Sequence, residues 1–214
     1  KMNKEKIRKE FIDYVLENGS HPQSVYAFCK KLKIKEGDFY EDFSSFAQLE
    51  SEIWKTMFRE ALAEAEAEDI YPTYSAREKM LAVLYTWIEV LKKNRSYILK
   101  GYESLDKPIY MKRNVELTDF KFAFYDFANE ILLQARENQE LENRPIPQLM
   151  KKYPDIFWAK TLYILDFWVN DISKSFEKTD TMIEKSVNTV FDLLARSPID
   201  SLLDLGKFIF QNRK

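Results

Sequence analysis

Nucleophilic, general-base and metal-ligating chemistry near neutral pH draws most heavily on cysteine and histidine, and this chain of 214 residues has one of each, Cys29 and His21. One histidine cannot make a His-paired metal site. One cysteine supplies neither an internal disulfide framework nor a cysteine-based zinc cluster. Cys29 stands at a core spacing with Val25, Phe28 and Leu32, so it reads as a small buried hydrophobe. No second imidazole base lies near it in sequence. His21 precedes Pro22 and reads as a surface linker residue. With 35 Asp and Glu in the chain, a pair at i, i+4 such as Asp126 and Glu130 arises by number alone, and the run Glu64–Asp69 reads as a solvated helix face. Phosphate-cradling loops, dinucleotide fingerprints and zinc spacings are absent. The sequence gives no reason to expect an enzyme, a cofactor or a metal.

The elements that would position any binding residues are helices. Glycine accounts for only 4 residues, too few for turn-rich β architecture or flexible linkers. Ile7, Phe11, Tyr14 and Val15 follow helical spacing up to the stop at Asn18-Gly19. Ser24 caps a second short helix, and the turn 33–35 leads into a third from about Glu36 to Phe43. Ser44 or Ser45 then caps a fourth running to about Glu68. Beyond it the periodicity predicts helices from Ser75 to Asn94, over about Ser96–Leu105 and over about Val115–Glu137. Asn143 to Pro147 reads as a loop. Pro154 opens a helix to about Phe176, Thr179 or Asp180 caps the next to about Arg196, and Ser197-Pro198 opens a last one through about Gln211. The fold class is all-α: an N-terminal three-helix helix-turn-helix module followed by a larger helical domain, with the division expected at 1–48 and 49–214. The charged stretch Lys1–Lys9 is unlike a secretory signal, and no apolar window approaches the ~20 residues of a membrane span, so the expected location is cytoplasmic.

The ordered run Ser24-Val25, Phe28-Cys29, Ile34, Gly37, Phe39-Tyr40, Phe43 and Leu49 resembles the DNA-binding region of TetR-family regulators. That pattern has a capping Ser or Thr, an apolar pair, a turn, then Gly, an apolar residue, Tyr and Phe. The resemblance covers about residues 4–55 by motif, and the rest of the chain is compatible with the family's helical C-terminal domain in helix number and length. Most matched positions are core residues whatever the function. The resemblance implies phosphate contact by Ser24 and Tyr40, with Lys30 and Lys35 beside them.

Two departures from the pattern stand out. Lys33 replaces the family's turn glycine. The third helix carries Glu36, Asp38, Glu41 and Asp42, and from Glu36 to Ile53 there are six acidic residues and no Lys or Arg. Carboxylates facing a phosphate backbone subtract from DNA affinity. Lysines at 30, 31, 33 and 35, and Lys4, Lys6, Arg8 and Lys9 on the first helix, offer charge that could grip phosphates.

Large aromatics crowd the second half. Phe120, Phe122, Phe124, Tyr125 and Phe127 spread around more than one helix face, more than a single buried stripe requires. TetR-like proteins keep a ligand pocket in this region, which implies an elongated apolar ligand lined by Trp87, Phe124 and Phe127. The helix from Pro154 is apolar almost all round, and the family's pairing of two late helices with their two-fold mates implies a homodimer through about 154–177 and 180–196. Two functions then stand: a regulator that binds operator DNA as a dimer and is released by a small apolar effector, or a TetR-fold carrier of a lipid or quinone-like molecule that has lost DNA binding. The mitochondrial lipid-binding protein of ubiquinone biosynthesis is the family's precedent for the second.

Overall fold

A computed structural model describes residues 3–141 and 152–195 of the chain. Within them lie nine α-helices: α1 Lys4–Asn18, α2 Val25–Leu32, α3 Glu36–Tyr40, α4 Phe46–Glu66, α5 Ala76–Lys93, α6 Arg95–Ser104, α7 Thr118–Glu137, α8 Tyr153–Asn170 and α9 Glu177–Ala195. Short 3-10 turns at Tyr71–Thr73, Val115–Leu117 and Lys174–Phe176 join some of them. None of the described helices is long and apolar enough to cross a membrane.

Local chemistry fixes most of the ends. Ser24, Ser45 and Ser75 each accept a hydrogen bond from a first-turn amide, of Ala27, Gln48 and Glu78, meeting donors that have no partner within the helix. Gly19 ends α1 in the left-handed conformation at φ +66°, its amide donating to Val15 O. Other ends are capped from a distance. Ser51 Oγ on α4 accepts from Asp119 N at 2.7 Å, and Glu140 Oε1 accepts from Ala76 N at 3.0 Å.

α4 is the axis. Its start carries Phe46 into the ring cluster of the first three helices, with Phe11, Phe28 and Phe39 at 5.3–5.7 Å. Farther along it packs on α5 and α7, and α8 and α9 complete that layer against α7 and α5. α1 also touches α6, so the module is held to the larger domain from two sides.

Three boundaries differ from the sequence reading. α3 is helical only to Tyr40, and residues 41–42 form a turn. The helix opened by Pro154 stops at Asn170, six residues short of the expected Phe176. Buried Asp171 ends it: its carboxylate accepts from Ser173 N at 2.8 Å, Thr179 N at 3.0 Å and Thr179 Oγ1 at 2.7 Å, holding a bend between α8 and α9. The next helix accordingly begins at Glu177 rather than at a Thr179 or Asp180 cap. The expected loop at 143–147 and last helix at 198–211 lie outside the described residues.

Candidate nucleic-acid interface and aromatic core

The α2–turn–α3 unit is built from its buried side outward. Phe28, Cys29, Phe39 and Phe43 are buried, packed edge-on or tilted with Phe11 and Phe46. Cys29 belongs to that core, and burial first, then the carboxylates of Glu36 and Asp38, push its thiol above the ordinary range, the opposite of an activated nucleophile. Between the helices, Ile34 N donates to Cys29 O at 3.0 Å and Lys33 N to Lys30 O at 3.2 Å. This paired closure needs a left-handed residue, and Lys33 supplies it at φ +57°. Gly37 has no such duty. Its φ is ordinary and a Cβ there would meet nothing within 4 Å.

All four residues expected to touch phosphate are on the exposed side of this unit. Ser24 caps α2 with its Oγ, Lys30 lies on the last turn of α2, Lys35 precedes α3, and Tyr40 is 51% exposed. Tyr26, 60% exposed on α2, joins them and was not singled out by its sequence position. Among the described residues Lys30, Lys33 and Lys35 form no ion pair, whereas Lys31 pairs with Glu17 at 3.2 Å.

Of the six acidic residues from 36 to 53, three are engaged elsewhere. Asp38 Oδ2 accepts from Lys35 N at 3.1 Å, so this carboxylate serves the start of α3. Glu50 and Glu52 are buried on the inner side of α4. Glu52 meets Lys55 at 2.6 Å, Lys4 at 3.3 Å and Arg8 at 3.5 Å. Burial pushes the Glu52 carboxyl up, but hydrogen bonds from Lys55 and Lys4 outweigh it and hold the group below its ordinary range. Lys4 and Arg8 are thereby committed to holding α1 on α4, leaving Lys6 and Lys9 as the first-helix cations outside that cluster. Glu50 meets His21 Nε2 at 3.1 Å. The linker histidine read as a surface residue is in fact partly buried, its ring 5.6 Å from that of Phe11.

The expected ligand residues come together. Trp87, Phe124 and Phe127 are buried around Phe58, Phe120 and Trp158, with Trp87–Phe120 at 5.2 Å, Phe120–Trp158 at 4.9 Å and Phe124–Phe127 at 6.3 Å. Phe120 is the centre, stacked also on Trp54. These rings bring α4, α5, α7 and α8 into contact. Trp87 Nε1 is buried there and has no hydrogen-bond partner among the described residues. The spread of aromatics around α7 has a different meaning from the one expected: Phe122 points outward at 64% exposure, and the Tyr125 hydroxyl donates to Asp155 at the surface.

On the outer side of α8, Ile156, Ala159 and Tyr163 with Tyr110 line a groove of about 510 Å³ flanked by Lys152 and Lys160. Most apolar residues of α8 are buried within the chain, among them Phe157, Trp158, Leu162, Leu165 and Trp168. The outward face of α9 is polar, with Glu184, Lys185, Thr189 and Asp192, and Leu193 the large apolar residue exposed there. No group of three or more His, Cys, Asp or Glu that could hold a metal ion occurs among the described residues.

Residues 79–209 match a family model described as the C-terminal domain of tetracyclin repressor-like proteins. The match runs from α5 past the end of α9 and lies wholly outside the helix-turn-helix unit. No curated protein matches the chain.

Proposed function

The chain belongs to the tetracyclin repressor-like family, and on that premise we propose that it is a transcriptional regulator that grips operator DNA as a homodimer and lets go when a small apolar molecule enters the helical domain. The division of labour follows 1–48 for DNA and 49–214 for effector and dimer, and a regulator of this kind would work in the cytoplasm beside its DNA. The observation that carries the reading is the α2–turn–α3 unit itself. Its apolar side is used up in the core, while Ser24, Lys30, Lys35 and Tyr40 are each exposed. Phosphates would be met by the two lysines, the Ser24 hydroxyl and the Tyr40 phenol, and adjacent major grooves by the two modules of a dimer.

The effector would enter among Trp87, Phe124 and Phe127. The unmet Trp87 Nε1–H supports an apolar molecule that carries one hydrogen-bond acceptor. Ligand binding selects between module separations, so a molecule that spreads the rings favours the arrangement that no longer fits the operator. The dimer contact would fall on about 154–177 and 180–196. Its apolar part would come from α8 and the bend after it, where Tyr163 is 37% and Ile172 98% exposed.

A carrier of a lipid or quinone-like molecule without DNA binding is the second reading, and the carboxylates of Glu36, Glu41 and Asp42 on and after α3 favour it. Selection of sheared genomic DNA on the purified protein at low salt, followed by sequencing, separates the two. A palindromic site whose affinity falls steeply with added salt supports the regulator. No enrichment at low salt leaves the carrier, whose cargo organic extraction and mass spectrometry would identify.

A further inference from the structure

A buried carboxylate at a joint between two bodies needs a counter-charge, and here the nearest one can be switched off. Glu50 is 3% exposed at the start of α4, between the connection after α1 and helix α6. Its ion-pair partner is the imidazole of His21, Nε2 to Oε1 at 3.1 Å. The neighbouring cluster behaves differently. Glu52 is held by Lys4, Arg8 and Lys55, with no histidine among its partners. These polar contacts add to the apolar packing of Phe46 on Phe11 and Phe28 and to the Arg8–Thr56 hydrogen bond, and among them the His21–Glu50 pair is the one whose charge depends on an imidazole.

We propose that the His21–Glu50 contact is a proton-operated latch, which clamps the three-helix module onto the α4–α6 side of the larger domain when the imidazole is protonated and frees it to pivot when it is neutral.

The groups acting on His21 come from each element around it. From α4, the Glu50 hydrogen bond raises its proton affinity most; partial burial lowers it; the charges of Glu50 and of Glu116, in the turn before α7, raise it again. α1 contributes the uncharged ring of Phe11, while Tyr97 of α6 is coupled to Glu50. Tyr97 is buried with its hydroxyl unpartnered, and burial, then the Glu50 carboxylate, push that phenol well above its ordinary value. As a phenol, Tyr97 carries no positive charge and cannot replace the imidazolium. The net shift of His21 is upward from 6.5. A group whose proton affinity is higher in the folded state stabilises it below the unfolded value and loses that contribution as pH rises through the folded one. The latch is shut below 6.5 and opens as pH rises through the raised value of His21. Above it, the buried Glu50 carboxyl no longer faces a cation on His21, and the attraction between the two is lost. The device works on the joint itself, whether the module grips DNA or not.

Because the chain has a single histidine, the titration can be read directly by NMR of the imidazole in the full-length protein. The proposal expects a midpoint above 6.5. Over the same interval, amide exchange corrected for intrinsic rates should rise in residues 4–40 relative to α5, by several-fold or more. Glu50→Gln should bring the midpoint to 6.5 or below and remove the pH-linked part of the exchange. His21→Lys, with a charge that persists, should keep exchange low throughout. A midpoint at or below 6.5 in the natural chain overturns the latch. So does module exchange that ignores the imidazole, or that follows pH equally in Glu50→Gln.

Discussion

Lys33 and Asp171 show how much one residue can set. A lysine held at φ +57° sits where side chains are crowded, because the paired hydrogen bonds that close α2 demand a left-handed residue there. Lys33→Gly should relieve that crowding and stabilise the fold by about 1 kcal/mol, read as a shift in the urea midpoint at unchanged slope. A fall in stability would mean that the lysine side chain contributes more than the backbone strain costs. Asp171 works the other way. Burial alone would raise its carboxyl, but hydrogen bonds from Ser173 and Thr179 bring it down to about 2 from 3.8. A lowered carboxyl stabilises the fold above its unfolded value and loses that contribution as pH falls through the folded one. The bend between α8 and α9 should therefore loosen between about pH 4 and pH 2. Asp171→Asn should cost about 1–2 kcal/mol at neutral pH and flatten that acid limb in a denaturation series.

Among the elements, those whose ends are set by neighbours in sequence were legible beforehand. Ser24, Ser45, Ser75 and Gly19 announce α2, α4, α5 and the end of α1 through contacts that span three or four residues. The misread ends depend on longer reach or on apolar residues that are not buried. Ile172 and Phe176 continue the periodicity of α8, yet Ile172 is 98% exposed and the chain has already bent at Asp171. His21 looked like linker because its partner lies 29 positions on, across the joint. Glu50 and Glu52 were grouped with the acidic third helix by proximity in sequence, although their place on α4 turns them inward. The exposed set Ser24, Lys30, Lys35 and Tyr40 follows from the core spacing of the same segment, so it could be read by subtraction. For the turn after α3 the expected outcome is electrostatic: if it meets phosphate, Glu41→Lys with Asp42→Lys should tighten non-specific DNA binding and steepen its salt dependence by up to ~2 in slope. Unchanged binding at low salt would take this turn out of the interface.

The early helices and the later ones meet along α4, and the molecule's assembly is a separate question from its fold. Native mass spectrometry at micromolar concentration should show a dimer, and Tyr163→Asp on the outer stripe of α8 should shift it toward monomer without lowering thermal stability. A wild-type monomer at that concentration would remove the α8 and α9 contact, and with it the two-module grip on adjacent grooves. The family's fold was legible as a whole because its helices are long and periodic. The filling of its interior was not, since periodicity says which residues turn inward and nothing of whether they meet one another or leave space. That interior has one practical consequence. All four tryptophans, Trp54, Trp87, Trp158 and Trp168, are buried, and the first three touch the single ring of Phe120. Trp168 lies apart, beneath the guanidinium of Arg95 at 4.4 Å. Three indoles thus report on one point while the fourth stands as an internal reference. The protein's own fluorescence becomes a label-free screen in which a molecule that reaches Phe120 changes intensity and colour together, and one that merely sticks to the surface leaves both alone.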